Sequence, residues 1–229
     1  MAHRGASKAE RENTLLAFTR SVAMGANCAE LDVRLCGSGE LVVHHNASLD
    51  DGRAIKDLAL GELPTYIPTL GDALDACAPM TVNIEIKNDE AEPDFDPLDK
   101  VAEMVVRLLR GRGNPQQWLI SAFRRETADR VHELWPQLPT AWLTVTVADA
   151  DAARLAASLV ASGHSALHPY VKTLTRSVVE EMHAKGLAVN TWTCDDPLRM
   201  RELIEWGVDG ICTNVPDVAL EVLAETRPR

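Results

Sequence analysis

The chain has 229 residues, of which 46% are hydrophobic and 25% are charged, and its formal net charge at pH 7 is −11. The length is within the range of a single α/β barrel, and the composition is that of a globular protein rather than a disordered one, so one domain over residues 1–229 is expected. The negative charge argues against a nucleic acid partner, which would need a basic surface, and a small anionic substrate would need local cations or a metal.

Short apolar segments alternate with amphipathic segments along the chain, which predicts βα units around a parallel sheet. Eight strands are predicted, at Met1–His3, Ala29–Arg34, Thr81–Ile86, Trp118–Phe123, Ala141–Val147, Ala166–His168, Leu187–Trp192 and Gly210–Thr213. Apolar residues at helical spacing predict eight helices, at Leu15–Met24, Leu70–Cys77, Leu98–Leu109, Glu126–Trp135, Ala150–Ala161, Arg176–Ala184, Pro197–Glu205 and Val215–Leu223. This order favours an α/β fold of the (β/α)8 TIM-barrel type, although an open doubly wound sheet would give the same alternation.

Two segments fall outside this alternation. Leu41–His45 follows Gly37-Ser38-Gly39 and predicts a short hairpin arm after the second strand, which would return the chain over the barrel mouth. Asp89–Pro97, with two prolines and five acidic residues, predicts a solvated loop before a helix. No Gly-x-Gly-x-x-Gly sequence follows an early strand, which argues against dinucleotide binding.

Two pairs of charged residues lie two positions apart on predicted strands. Glu30 and Asp32 share one strand, and Glu85 and Lys87 share the next main strand, so each pair points to one face, expected to be the barrel interior. Ionised carboxylates side by side repel each other unless a cation lies between them, and oxygen ligands of this kind suit Mg²⁺ or Ca²⁺. Taken alone, the acidic pair is also compatible with an exposed strand edge, and Glu85 and Lys87 with a salt bridge inside the barrel.

His3-Arg4-Gly5 ends the first predicted strand, where a TIM barrel carries catalytic groups. Arginine offers a planar fork to phosphate oxygens, and histidine exchanges protons near neutral pH. Taken alone, such a pair is more often an ordinary surface pair than part of a site.

Several short motifs follow one another along nearly the whole chain. They are His3-Arg4-Gly5, Glu12-Asn13-Thr14, Glu30-Leu31-Asp32-Val33, Val42-Val43-His44-His45 with Leu49-Asp50, Asn83-Ile84-Glu85-Ile86-Lys87, Val189-Asn190-Thr191-Trp192-Thr193 and Gly207-Val208-Asp209-Gly210-Ile211-Cys212-Thr213. In order and spacing they resemble the glycerophosphodiester phosphodiesterase family, in its cytoplasmic bacterial type. The resemblance implies a TIM barrel that hydrolyses a small-molecule glycerophosphodiester to an alcohol and sn-glycerol 3-phosphate.

The resemblance also implies roles for individual residues. It implies that Glu30, Asp32 and Glu85 are ligands of a divalent metal. It also implies that His3 and His45 are the acid/base pair, and that Arg4 and Lys87 are cations that contact the phosphate. His45 is favoured over His44 because the family's histidine lies four residues before the Leu of a Leu-Asp pair. Trp192 is expected to pack against glycerol carbons or to lie in the core, and His168 is a weaker candidate. The resemblance leaves open which histidine is the base and whether the metal is Mg²⁺ or Ca²⁺.

The sequence departs from the family at several points. Arg11 and Asn46 stand where relatives usually have Pro and Asp, and the segment Ala47–Tyr66 is short, which predicts an open mouth and leaves the alcohol group undefined. Two alternatives are a related phosphodiesterase such as a lysophospholipase D and a non-catalytic barrel that binds a phosphorylated metabolite. Intact histidines argue against the second.

The five cysteines are odd in number and form no Cys-x-x-Cys pair, so we expect reduced thiols rather than disulfides or a zinc site. The sequence shows no signal-peptide core and no run of about 20 apolar residues, which predicts a cytoplasmic protein without a membrane span. The oligomeric state is not defined by the sequence, and a homo-oligomer is compatible with it.

Overall fold

Strands and helices alternate along residues 1–226, which are the residues that this computed structural model describes. The strands are β1 (Ala2–His3), β2 (Cys28–Leu35), β3 (Leu41–Val43), β4 (Thr81–Ile86), β5 (Trp118–Ala122), β6 (Thr140–Thr144), β7 (Ala166–Pro169), β8 (Ala188–Thr191) and β9 (Gly210–Ile211). The α-helices are α1 (Leu15–Ala23), α2 (Leu70–Ala76), α3 (Lys100–Arg112), α4 (Arg125–Leu134), α5 (Asp149–Ala161), α6 (Arg176–His183), α7 (Pro197–Trp206) and α8 (Pro216–Thr226). Each predicted helix is therefore present, with ends shifted by a few residues.

Eight of the strands are parallel and follow the order β1-β2-β4-β5-β6-β7-β8-β9. Strand β3 runs antiparallel to β2, with Val43 opposite Val33, after the turn at Gly37-Ser38-Gly39. Backbone hydrogen bonds also join the first strand to the segment after the last one, from His3 N to Thr213 O at 2.9 Å and from Thr213 N to Met1 O at 3.0 Å. The carboxyl ends of the parallel strands therefore lie together at one edge of the sheet.

Side chains along β2 and β4 alternate between an aliphatic face, which packs in the core, and a charged face. Leu31, Val33, Ile84 and Ile86 are almost fully buried and belong to a cluster with apolar residues of α2 and α3. Each such side chain contributes about 1.5–3 kcal/mol by leaving water. The intervening residues of both strands point the other way, so the packing of the aliphatic face fixes the direction of the charged face.

The segment before α3 differs from its predicted form. The helix begins at Lys100 rather than at Leu98, because Asp99 has a φ of 52° and its carboxylate accepts hydrogen bonds from Asn88, Arg124 and Thr127. Leu98, which set the predicted start, is 79% exposed. An apolar residue at helical spacing was misleading here, since its neighbour is held in a non-helical conformation by polar partners.

The loop Asp89–Pro97 is not simply solvated as predicted. Glu92 and Asp94 turn inward and form ion pairs with Arg34, whose side chain is fully buried. The loop is thus anchored to β2 by charge.

Among the described residues, no helix has the length and apolar character needed to cross a membrane.

Candidate active site

Three carboxylates converge from β2 and β4. Glu30 and Asp32 lie on β2, and the strand register places Asp32 opposite Glu85 of β4. All three residues are buried, and one oxygen from each lies within 4.8 Å of the others. The predicted grouping of Glu30, Asp32 and Glu85 at one face is therefore present in the structure.

The three carboxylates do not share one protonation behaviour. Burial, followed by the charges of Asp32 and Glu85, raises the pKa of Glu30 well above its usual range. Burial and the charge of Asp32 also raise the pKa of Glu85. Burial works in the same direction on Asp32, but the cations of Lys87 and Arg4 outweigh it and hold the Asp32 pKa below its usual value. The cluster is therefore anionic, and the neighbouring cations balance the negative charge of Asp32 but not that of Glu30.

Two cations border the carboxylates. Lys87 Nζ lies 2.7 Å from Glu85 Oε1 and 3.7 Å from Asp32 Oδ1. Arg4 Nε lies 3.3 Å from Asp32 Oδ2, while its backbone N–H donates to Glu30 Oε2 at 2.9 Å. Both predicted phosphate-contacting cations are thus at the site, with the negative charge of the carboxylates beside them.

The backbone around Arg4 depends on the glycine that follows it. Gly5 has a φ of 81°, and a Cβ at this position would lie 2.6 Å from the backbone carbonyl carbon of Ala17 in α1. Only glycine allows this conformation and this close approach to the helix. Gly5 therefore fixes the direction in which the chain leaves β1 after His3 and Arg4.

His3 ends β1 and faces the pocket beside Glu30. Its Nδ1 lies 2.6 Å from Asn214 Oδ1, and Asn214 in turn contacts Asp195. Burial, followed by the charge of Arg4, lowers the pKa of His3. The imidazole is therefore neutral near pH 7 and has one ring nitrogen, Nε2, without a hydrogen bond from the described residues.

His45 follows β3, in the hairpin arm that returns beside β2. Burial lowers the pKa of His45, and Asp32 partly offsets this effect. Its Nδ1 lies 2.8 Å from Asn46 Oδ1, whereas His44 Nδ1 lies 2.8 Å from the backbone oxygen of Asn46. The two neighbouring histidines therefore differ in their hydrogen-bond partners.

The backbone of His45 is held by Arg34. Arg34 Nε and Nη2 both donate to His45 O, at 3.0 and 2.6 Å, and Arg34 Nη1 donates to Asp94 Oδ2 at 2.6 Å. Glu92 also pairs with this guanidinium. This buried cation connects β2, the acidic loop and the hairpin arm in one arrangement.

Three aromatic rings lie at the carboxyl ends of later strands. Trp192 packs edge-on against Phe123 at a centroid distance of 5.3 Å and lies 5.1 Å from the Tyr170 ring, and its Nε1 donates to His168 O. Lys87 Nζ lies 5.8 Å from the Phe123 ring. Trp192 is therefore at the edge of the charged cluster, where it lines the same small cavity as Glu30 and Glu85.

His168 lies beneath the site in a small cavity of about 30 Å³ that His3, Glu30 and Glu85 also line. Burial alone lowers its pKa to about 3. Its Nε2 accepts from Asn190 Nδ2 at 2.9 Å. A histidine that stays neutral at all ordinary pH values and is already hydrogen-bonded is a packing residue rather than an acid/base group.

The charged cluster fits a divalent cation on its own chemistry. Its donors are oxygens only, which is the ligand type of Mg²⁺ and Ca²⁺. Asp32 Oδ1 is buried without a hydrogen-bond donor among the described residues. The raised pKa of Glu30 shows that the cluster would gain stability from one more positive charge.

Sequence reasoning did not identify several residues around the site. Asn13 was noted only as part of the motif Glu12-Asn13-Thr14, and its buried side chain donates to Asp32 Oδ2 at 2.8 Å. Arg34, Asp195 and Asn214 were not singled out at all. A signal was available only for Arg34, which shares the period of two with Glu30 and Asp32, whereas the others depend on contacts distant in sequence.

The chain was compared with known proteins. It matches the model of the Glycerophosphoryl diester phosphodiesterase family over residues 3–218. A glycerophosphodiester phosphodiesterase of Bacillus subtilis is 28% identical over an alignment that covers 95% of this chain and 84% of that protein. The sequence similarity thus extends through both the strands that carry the charged cluster and those that carry the aromatic rings.

Solved structures give the same grouping. A glycerophosphodiester phosphodiesterase from Thermotoga maritima has 26% identity and a TM-score of 0.81, with 98% of this chain and 96% of that chain covered. A phosphodiesterase from Oleispira antarctica, in complex with its product sn-glycerol-3-phosphate, has 23% identity and a TM-score of 0.87, with 97% and 95% covered. The likeness to the latter concerns the fold. Because the family model spans residues 3–218, the chain belongs to the glycerophosphoryl diester phosphodiesterase family.

Proposed function

We propose that this protein hydrolyses glycerophosphodiesters to an alcohol and sn-glycerol 3-phosphate with the help of a divalent metal. The observation that carries the proposal is the convergence of the Glu30, Asp32 and Glu85 carboxylates with two cations and two histidines at one edge of the sheet. The product bound to the Oleispira antarctica phosphodiesterase, sn-glycerol-3-phosphate, is the phosphate-containing product proposed for this protein.

The scaffold we propose for this chemistry is a single (β/α)8 barrel, closed between its first and last strands, with the β3 hairpin as a short insertion. The hydrogen bonds between His3 and Thr213, and the parallel bridge between Ala2 and Thr213, support closure. Closure would leave no free sheet edge beside the site, so that the ends of β1, β2 and β4 are held relative to one another.

Glu30, Asp32 and Glu85 would hold the metal, Mg²⁺ or Ca²⁺. When bound, the ion supplies positive charge to the phosphoryl oxygens and stabilises the more negative transition state. Arg4 and Lys87 would orient the phosphate through their N–H groups. In the free protein both cations lie against Asp32, so a bound diester would compete with that carboxylate for them.

His3 and His45 would move the protons of the reaction at their Nε2 atoms, because the Nδ1 atom of each ring is already engaged by an asparagine. One ring accepts a proton from the attacking hydroxyl or water, and the other donates a proton to the leaving alkoxide. The rings of Trp192 and Phe123 would exclude water and pack against the carbon atoms of the substrate.

The proposal is tested by release of glycerol 3-phosphate from glycerophosphocholine and glycerophosphoethanolamine, measured with Mg²⁺, with Ca²⁺ and with excess EDTA. We expect release that needs one of the ions, and a loss of about 10²–10⁴ in kcat for His45→Ala. His44→Ala is the matched control, since the His44 ring bonds to the backbone oxygen of Asn46, and the substitution keeps the His44 backbone N–H that donates to Asp32 O. Hydrolysis that His45→Ala leaves unchanged, or no hydrolysis under any of these conditions, would contradict the proposal.

A further inference from the structure

A chain of three polar side chains runs outward from the end of β1. His3 Nδ1 lies 2.6 Å from Asn214 Oδ1, and Asn214 Nδ2 donates to Asp195 Oδ2 at 2.7 Å. Ser7 Oγ donates to the same Asn214 Oδ1 at 2.9 Å. Asn214 and Asp195 come from the loops after β9 and β8, more than 190 positions from His3.

The orientation of the Asn214 amide follows from its partners. Asp195 Oδ1 accepts from the Asn214 backbone N–H at 2.8 Å and from Thr213 Oγ1 at 2.9 Å, so the carboxylate is fixed from two sides. Burial works to raise the pKa of Asp195, but the hydrogen bonds from Asn214 and Thr213 outweigh it and hold the pKa below its usual value. The carboxylate is therefore ionised and only accepts hydrogen bonds, so the atom of Asn214 that faces it must be the NH₂ group.

This orientation determines the state of His3. With its NH₂ group on Asp195, Asn214 presents only an oxygen to the imidazole, and an oxygen of an amide cannot donate. The hydrogen of a neutral His3 must then be on Nδ1. The lone pair is on Nε2, on the side of the ring away from Asn214.

We propose that Asn214 and Asp195 are positioning residues that hold neutral His3 in the Nδ1–H tautomer, so that His3 Nε2 serves as the proton acceptor of the reaction. The inference rests on the proposed function, whose general base it identifies. In the step, Nε2 takes the proton of the attacking hydroxyl or water as its oxygen bonds to phosphorus, while the P–O bond to the leaving alcohol breaks and the alkoxide takes a proton from the imidazolium form of His45. The resulting His3 imidazolium keeps its Nδ1–H bond to Asn214 and later releases the Nε2 proton to solvent.

The substitution Asp195→Asn keeps the size of the side chain but reverses the donor and acceptor roles in this network. In Asp195→Asn the new amide can keep its oxygen on Thr213 and on the Asn214 backbone N–H, while its NH₂ group replaces the oxygen that faced the Asn214 side chain. Asn214 must then turn its own oxygen toward position 195 and its NH₂ group toward His3. His3 Nδ1 becomes an acceptor, its hydrogen moves to Nε2, and the base is lost without loss of packing.

A second variant should restore the original polarity. In the double variant Asp195→Asn/Asn214→Asp, the amide at 195 donates to the carboxylate at 214, which accepts again from Nδ1–H of His3. The network has the same atoms and the same total charge as in the unmodified protein. Asp217→Asn is the matched control, because Asp217 is exposed, close in sequence and not part of the network.

The experiment uses the full chain with Mg²⁺ or Ca²⁺ and glycerophosphocholine, together with ¹⁵N NMR of the histidine rings assigned against His3→Gln. We expect Asp195→Asn to lower kcat by about 10²–10⁴ with little change in KM, and the double variant to recover at least about tenfold of that loss. The ¹⁵N spectra should show hydrogen on Nδ1 of His3 in the unmodified protein and on Nε2 in Asp195→Asn, with Nδ1–H regained in the double variant.

The spectra separate this inference from the proposed function. If the unmodified protein hydrolyses no diester but the tautomers exchange as described, the proposed function fails and the positioning of His3 stands. If Asp195→Asn keeps its kcat, or if His3 carries hydrogen on Nδ1 in all variants, the positioning role is refuted. A uniform loss of folded protein in Asp195→Asn that the double variant does not reverse would equally refute it, since it would mark a purely structural contact.

Discussion

Replacing Arg34 with methionine removes a buried cation while keeping most of its apolar stem. The Arg34 side chain is fully buried, and that of its partner Asp94 is 9% exposed. The substitution leaves Asp94 as a buried carboxylate without a cation, and it leaves His45 O without its two donors. Glu92 is 32% exposed and can turn toward solvent, so it adds little to the cost.

Removing one partner of a buried ion pair costs about 3–5 kcal/mol. We therefore expect Arg34→Met to lower the free energy of unfolding by about 3–5 kcal/mol, measured by urea unfolding at pH 7. Arg154→Met is the control, since Arg154 is 83% exposed and its pair with Asp151 is worth about 0.5 kcal/mol or less.

The same substitution should affect catalysis beyond its effect on stability. His45 is placed by its backbone bond to Arg34, so the folded fraction of Arg34→Met should have a lower kcat than the unmodified protein. A loss of less than about 1 kcal/mol would show that the acidic loop simply rehydrates. In that case Arg34 does not hold the hairpin arm, and other contacts must position His45.

Three further outcomes are expected. The pKa of His168 is about 3 in the folded protein against an ordinary 6.5, so only the unfolded chain takes up this proton as the pH falls below 6.5. The free energy of unfolding should therefore drop by about 1.4 kcal/mol per pH unit. His168→Gln should remove this pH dependence, measured by urea unfolding between pH 6.5 and 5. Gly5→Ala should cost about 3 kcal/mol because its Cβ meets Ala17 at a φ of 81°, whereas Gly39→Ala, with a φ of 94° and no neighbour within 4 Å, should cost only the backbone strain of about 1 kcal/mol, measured as shifts in Tm. Mg²⁺ or Ca²⁺ should raise the Tm of the unmodified protein but not that of Asp32→Asn, and a shift that survives in the variant would place the ion elsewhere.

The elements and the carboxylate cluster were predictable because both depend on short-range periodicity. Alternation in β2 and β4 separates aliphatic from charged residues, so Glu30, Asp32 and Glu85 could be assigned to one face from spacing alone. The family resemblance then supplied roles that spacing could not give, such as the choice of His45 over its neighbour.

The other residues of the site could not be predicted from the sequence, because their side chains come into contact only after folding. Asn214 contacts His3 across 211 positions, and Arg34 contacts Asp94 across 60. Neither pair leaves a periodic pattern in the sequence. Leu98 shows the opposite failure, since its spacing suggested a buried helical position while the polar partners of Asp99 excluded it.

The aromatic rings and the hydrolytic groups come from different parts of the chain. Every residue proposed to bind metal, bind phosphate or exchange protons lies before residue 88, whereas Phe123, Tyr170 and Trp192 follow β5, β7 and β8. Mutation of the loops after β5 and β7 can therefore change the aromatic surface that we propose to meet the substrate, while the groups proposed to react, and Asp195 in the loop after β8, stay intact. Libraries designed to change the accepted substrate should be built on these two loops, with Asp195 and Asn214 kept, and lineages that diverged in substrate should differ there first.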